Sequence, residues 1–209
     1  MKYTLHIFLA FLFNALTLGS FSAHAETVVE DALEMTFAQN LETPDVPKKA
    51  ETYVRSHMDQ LRRTLLKNGL NVKTLRNGEV LQATVLCDSL FGIGSVELKP
   101  AAAAILNRLG IVVRDPSRYK LLVAVHTDDT GDEQYADSIS ASRANAIDDA
   151  LWQIASEKET NVIPYGIGKD EPLAPNTSRI NRANNRRVEF FIVPEFGLLE
   201  LAGVKPKNK

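Results

Sequence analysis

The chain has 209 residues, of which 44% are hydrophobic and 24% charged, enough apolar matter for one ordinary globular core and an extension. Its formal net charge of -2 gives no overall pull toward nucleic acid, and no nucleic-acid partner is expected. A single cysteine, Cys87, excludes an intramolecular disulfide and leaves stability to the core.

Lys2 opens the chain, and "LHIFLAFLFNALTLGSFSA" follows as an apolar run without acidic or basic charge, closing on "AHA" before Glu26. This pattern predicts a secretory signal peptide at residues 1–25, cleaved after Ala25. The alternative is an uncleaved membrane anchor. Asn14, Gly19, Ser20 and Ser22 weaken the second half of the run and favour cleavage. Cys87 lies far beyond the run and no cysteine adjoins it, so a lipidated N-terminus is not supported.

Residues 26–46 are acidic, carry Pro44 near their end, and read as a leader-proximal segment or linker, with room for a short helix and no assigned function. Residues 47–79 form a lead-in. Within it Ala50, Tyr53, Val54, Met58, Leu61, Leu65 and Leu66 recur at three- and four-residue steps, which predicts an amphipathic helix ending at Asn68 and Gly69. "NVKTLRNGEVLQATV" then places two strand-like runs around Asn77-Gly78, a pair suited to the positive dihedrals of a tight hairpin turn.

From residue 80 to 194 strands and helices alternate. Pro100 suits a first helical turn, with Ile105, Leu106, Leu109 and Val112 on one face. "YKLLVAVH" reads as a strand, and "ISASRANAIDDALWQIAS" as a core helix through Ala144, Ile147, Leu151 and Ile154. "NVIPYG" reads as a short strand and "RVEFFIV" as a longer one with Val188, Phe190 and Ile192 on one side. The alternation predicts a layered α/β domain. Residues 195–209 read as a tail with a basic, mobile end.

The polar cluster "HTDDTG", His126 to Gly131, invites several chemistries. A closed metal site is disfavoured, because a strand end points adjacent side chains apart and His126 has little company: His6 and His24 lie in the leader, leaving only His57. No metal and no cofactor are expected. Ser138, Ser140 and Ser142 follow His126, but nothing resembles a nucleophile elbow, so a hydrolase ranks third and no catalytic residue is assigned. The glycines of "YGIG" read as a turn rather than a phosphate loop. What remains is a pair of opposite charges. Asp128 follows a strand, and Arg143 comes fifteen residues later near the start of the second helix. If the loop between them folds back over the sheet end, carboxylate and guanidinium meet on one rim and fit a zwitterion. A plain salt bridge between the two is the bland alternative. Arg179, Arg182, Arg186 and Arg187 form a basic run before the last strand; they either attract an acidic polymer or brace carboxylates and carbonyls.

These segments, in order, resemble a known family. "LFGIGSVELKPAAAAIL", "HTDDTG", "YADSISASRANAI", "YGIGKDEPLAPNT" and "NRANNRRVEFFIV" look like the motif series of the OmpA-like C-terminal, peptidoglycan-binding domain, over roughly Val80 to Val193. The resemblance implies an α+β sandwich: a mixed four-stranded sheet packed on helices, here preceded by the amphipathic helix and hairpin. It also implies non-covalent binding of peptidoglycan peptide stems. Asp128 and Arg143 match the family's positions that hold the amino and carboxylate groups of diaminopimelate. Thr130 and Arg186 match positions lining that site. The chain departs from the family at Gly92, where Asp is common, and at Ala136, where Asn is common. Each lost polar contact to a charged group would cost about 1.5–3 kcal/mol. Asn181 also replaces a family glycine.

The expectation is therefore a non-enzymatic periplasmic module, associated with the cell wall or outer membrane, that tethers itself or a partner to peptidoglycan. The alternative is a structural protein that has lost wall binding and pairs with an envelope protein through residues 47–69.

Overall fold

The computed structural model describes residues 35–205. The expected signal peptide, residues 26–34 of the expected linker and residues 206–209 lie outside them.

The described chain opens with a short helix, α1 (Phe37–Glu42), inside the segment read as an acidic linker. Thr36 and Gln39 close a reciprocal capping box, with the Thr36 N–H donating to Gln39 Oε1 at 2.8 Å. The amphipathic helix follows as α2 (Lys48–Lys67), burying Ala50, Val54, Met58, Leu61 and Leu65. Tyr53 and Leu66, in the same expected stripe, lie at its margin and stay exposed.

Strands β1 (Val72–Leu75) and β2 (Val80–Leu86) pair antiparallel with Leu75 opposite Val80. The connection, residues 76–79, is longer than a two-residue turn, although Asn77 and Gly78 do adopt positive φ, as does Arg76. The Arg76 guanidinium accounts for the wider loop: it donates to the carbonyls of Leu41 at 2.8 Å and Pro44 at 3.1 Å, drawing the turn onto the N-terminal segment.

After α3 (Cys87–Leu90), the single helix expected beyond Pro100 is present as α4 (Ala102–Leu106), a 3-10 turn at Asn107–Leu109, and α5 (Gly110–Val113). The Asn107 side chain donates to the carbonyl of Ala103 at 2.8 Å, the kind of local bond that disturbs a helical ladder. Leu106, Leu109 and Val112 still reach the core. Next come β3 (Tyr119–His126), α6 (Glu133–Ile154), β4 (Val162–Gly168), α7 (Arg179–Asn185), β5 (Arg187–Pro194) and α8 (Phe196–Leu201). Helix α6 starts earlier than its apolar spacing suggests, because Asp132 caps it by accepting from the Tyr135 N–H at 2.7 Å. Arg143 consequently lies well inside the helix rather than near its start.

The strands form one mixed sheet in the order β1-β2-β5-β3-β4. Strands β2 to β5 make the four-stranded sheet that the resemblance implies, and β1, the first run of the expected hairpin, joins them as a fifth at the edge. Strand β5 is antiparallel to both its neighbours, and β3 is parallel to β4. Alternate residues serve two layers. Leu121, Val123 and Val125 of β3 and Val188, Phe190 and Ile192 of β5 join the main core with α2, α4, α5 and α6. Leu122, Ala124, Phe191 and Val193 point to the opposite face, where Met35, Phe37 and Leu41 cover them. Lys120 is buried on that second face, its Nζ donating to Asn40 Oδ1 and to the Thr43 carbonyl, both at 2.9 Å, with Glu195 Oε1 at 3.6 Å. One ammonium thus fastens the entry and exit segments of the domain to β3. Leu198 and Leu199 of α8 also enter the main core, so the start of the expected tail is part of the folded body.

Two sequence expectations change here. The "YGIG" segment is the end of β4 rather than a turn, and its glycines admit α6: a Cβ on Gly166 would lie 2.5 Å from the Ala141 backbone nitrogen. The stripe of α2 proposed for an outside partner is already covered by its own sheet.

Gly166→Ala should therefore push α6 off β4 and destabilise the protein by about 1–3 kcal/mol, the usual penalty of overpacking. Urea unfolding followed by circular dichroism measures it; an unchanged midpoint would show that the helix can yield at no cost.

Candidate functional site

The site lies where strand ends converge. Strand β3 ends at His126, and Asp128 follows in the loop that leads to α6. The loop folds on Asp128 itself: its Oδ1 accepts from the Thr130 N–H at 2.9 Å, an Asx turn that fixes the carboxylate. Its Oδ2 accepts from Arg186 Nη1 at 2.6 Å. Arg186 immediately precedes β5, and its Nη2 reaches Asp88 Oδ2 at 3.2 Å. Burial tends to raise the Asp128 pKa, but Arg186 and the Thr130 bonds outweigh it, and the carboxyl is held below its ordinary value.

Arg143 approaches from α6. It is 5% exposed, as is Asp128, yet the two form no ion pair. Instead Nε donates to the Ser95 carbonyl at 2.9 Å and Nη2 to the Gly92 carbonyl at 3.4 Å, while the guanidinium stands 5.0 Å over the Phe91 ring. All these partners are formally neutral. Burial pushes the Cys87 thiol up to about 11, with Arg143 and Arg186 pulling it partly back.

Three of the four expected residues, Asp128, Thr130 and Arg186, are thus directly joined, with Arg143 standing apart on the loop that starts at Phe91. Thr130 contributes through its backbone as well as its side chain. The departures from the family pattern are accommodated locally. Gly92 supplies a main-chain carbonyl to Arg143, which needs no side chain, and Ala136 is buried on α6. Sequence reasoning missed Asp88, because no local signal distinguishes it from other surface aspartates; only the strand order brings it to Arg186.

The other candidates serve the frame. Arg187 is buried and donates to Glu189 Oε1 at 2.9 Å and to the Glu171 carbonyl at 3.2 Å. Arg182 donates to the Asn176 carbonyl at 2.7 Å. The basic run is therefore partly a set of braces. Asn185 is fully buried and ties down the loop through Ala174 and Asn176. His126 is buried with Nε2 3.4 Å from Glu189 Oε2, an electrostatic contact outside hydrogen-bond geometry. The Ser140 hydroxyl accepts from the Gly168 N–H at 3.1 Å and donates to the Asp137 carbonyl at 3.0 Å. Among the described residues, no group of three or more His, Cys, Asp or Glu side chains is placed to hold a metal ion.

Comparison with known proteins gives consistent findings. Residues 90–186 match the model of the OmpA family. The probable lipoprotein YiaD of Escherichia coli is 28% identical over 126 residues, covering 60% of this chain and 57% of that protein. The peptidoglycan-binding protein ArfA of Mycobacterium tuberculosis is 31% identical over 102 residues, 49% of this chain and 31% of that protein. The solved structure of the cell wall anchor of the T6SS from Pseudomonas aeruginosa superposes with a TM-score of 0.55 at 25% identity, covering 65% of this chain and 97% of that one. The matches to the two sequence relatives thus span about half of one and a third of the other.

The buried Glu189 makes a pH prediction. Burial would raise its pKa, but His126 and Arg187 beside it pull it down to about 2 from an ordinary 4.5. A depressed carboxylate stabilises the fold above the unfolded-state value and loses that contribution as pH falls through the folded-state one. Stability should therefore drop between ~pH 4.5 and ~pH 2 in the wild type and fall less steeply in Glu189→Gln. Urea midpoints across that window measure the difference, and parallel curves would remove Glu189 from the account.

Proposed function

We propose that this protein, whose residues 90–186 match the model of the OmpA family, is a non-enzymatic module of the cell envelope that tethers itself to peptidoglycan by gripping diaminopimelate in the peptide stems. Asp128 receives the ligand ammonium, and Arg143 receives the carboxylate through its guanidinium fork. Thr130 and Arg186 hold Asp128 charged and aimed.

The observation that carries this reading is the state of Arg143. A guanidinium so deeply buried is usually matched by a carboxylate. Arg143 has two main-chain carbonyls and an aromatic ring, and no carboxylate within ion-pair reach among the described residues. An incoming carboxylate is the natural partner for it, and a charge-assisted bond of this kind contributes about 1.5–3 kcal/mol. The prefixed loops mean that little ordering remains to be done on binding. The names of the similar proteins, a peptidoglycan-binding protein and a cell wall anchor, point the same way. A place in the periplasm, at the wall or outer membrane, follows from this reading together with the expected signal peptide. Among the described residues, no helix is long and apolar enough to cross a membrane.

The alternative, an envelope-protein partner docking through residues 47–69, has less support, since the apolar face of α2 is already buried.

Purified protein mixed with insoluble sacculi rich in diaminopimelate should sediment with them and be released by free diaminopimelate. Asp128→Asn and Arg143→Ala should each weaken binding roughly ten- to hundredfold. A wild type that stays in the supernatant would overturn the tether, and release of soluble wall fragments would indicate a hydrolase.

A further inference from the structure

We infer that Asp88 is a specificity residue of the ammonium subsite, supplying the net negative charge that the Asp128–Arg186 pair lacks; this inference rests on the diaminopimelate reading above.

The argument is one of charge. Asp128 was expected to face a cationic ligand, yet Arg186 already sits 2.6 Å from it. That pair alone is neutral, and a neutral pair attracts an ammonium only weakly. Arg186 is also bonded to Asp88 at 3.2 Å. The three groups together carry two negative charges and one positive, a net charge of one carboxylate. Arg143 carries the complementary uncompensated positive charge. With Asp88 counted, the side chains paired with one another carry one net negative charge, which with Arg143 gives the one-plus, one-minus pattern that fits an amino acid.

Sheet topology makes this arrangement a built one. Strands β2 and β3 flank β5, and both run antiparallel to it. Their C-terminal ends therefore arrive on either side of the β5 N-terminus. Asp88 lies two residues beyond the end of β2, Asp128 two residues beyond the end of β3, and Arg186 one residue before β5. Each flanking strand thus hands one carboxylate to the same guanidinium. Lys99 bonds to the backbone carbonyl of Asp88 at 2.6 Å and leaves the carboxylate to Arg186.

The two carboxylates differ in burial, which divides their roles. Asp128 is enclosed and fixed, whereas the Asp88 side chain is 57% exposed. Asp88 can therefore hold Arg186 while Asp128 turns its remaining lone pairs to the ligand.

The test uses the full chain and two soluble probes of equal length, diaminopimelate and pimelate, the latter with both carboxylates and no amine. Dissociation constants are measured by calorimetry for the wild type, Asp88→Asn and Asp88→Glu. The wild type should prefer diaminopimelate. Asp88→Asn should reduce that preference roughly two- to fivefold, the scale of a part-exposed charge, and Asp88→Glu should restore it. Pimelate binding, which depends on Arg143, should stay level or strengthen in Asp88→Asn, where a negative charge is removed, and stay level in Asp88→Glu, a pattern that general loosening of the site would not give. An Asp88→Asn protein with the full wild-type preference overturns the role of Asp88 alone. A wild type without preference overturns this inference together with the diaminopimelate reading beneath it.

Discussion

The position of β5 between two antiparallel neighbours is the constraint from which the rest follows. Its register is fixed on one side by Leu86 opposite Arg187 and on the other by Val125 opposite Val188. A slip of one residue would turn Val188, Phe190 and Ile192 out of the main core and bring Arg187 and Glu189 into it. The hydrophobic layers therefore determine, to within one residue, where Arg186 stands. Because fully burying each such side chain is worth about 1.5–3 kcal/mol, an ion pair at the sheet end inherits its geometry from packing far stronger than itself.

This hierarchy explains how opposite charges stay apart. Left free, Asp128 and Arg143 would be drawn together, and a closed pair would have little left to offer a ligand. The fold prevents that by giving each a prior engagement. Asp128 is turned to Arg186 and the Thr130 backbone. Arg143 is held by the carbonyls of Ser95 and Gly92 and by the Phe91 ring. Helix α6, which carries Arg143, is itself seated by the missing side chain at Gly166.

Periodicity made the frame legible in the sequence: the stripe of α2, the alternation of β5 and the spacing of α6 each reappear in the structure. Motif order and charge singled out Asp128 and Arg143, and both are buried side chains here. What escaped was whatever depends on distant pairing. Arg186 was expected beside the ligand, but its bonds to Asp88 and Asp128 follow from strand order, which no local pattern states. Helix α1 agrees with the short helix allowed for in the acidic segment, and Thr36 with Gln39 and the Phe37–Leu41 spacing mark its capped, one-sided form. "YGIG" read as a turn because glycine usually marks one; here its lack of a side chain admits a neighbouring helix.

Lys120 has a mechanical meaning as well. It fastens Asn40 and Thr43 near the start of β3, whereas Asp128 lies just past that strand's other end. A pull entering through the N-terminal segment and resisted at Asp128 runs parallel to β3. That strand is laddered on one side to β5 and on the other to β4. Such a load shears both ladders at once, so their hydrogen bonds share it, whereas a sideways pull would unzip them in succession. Under the proposed tether, the buried ammonium sets the N-terminal segment so that tension is borne in shear, the direction in which a sheet resists best.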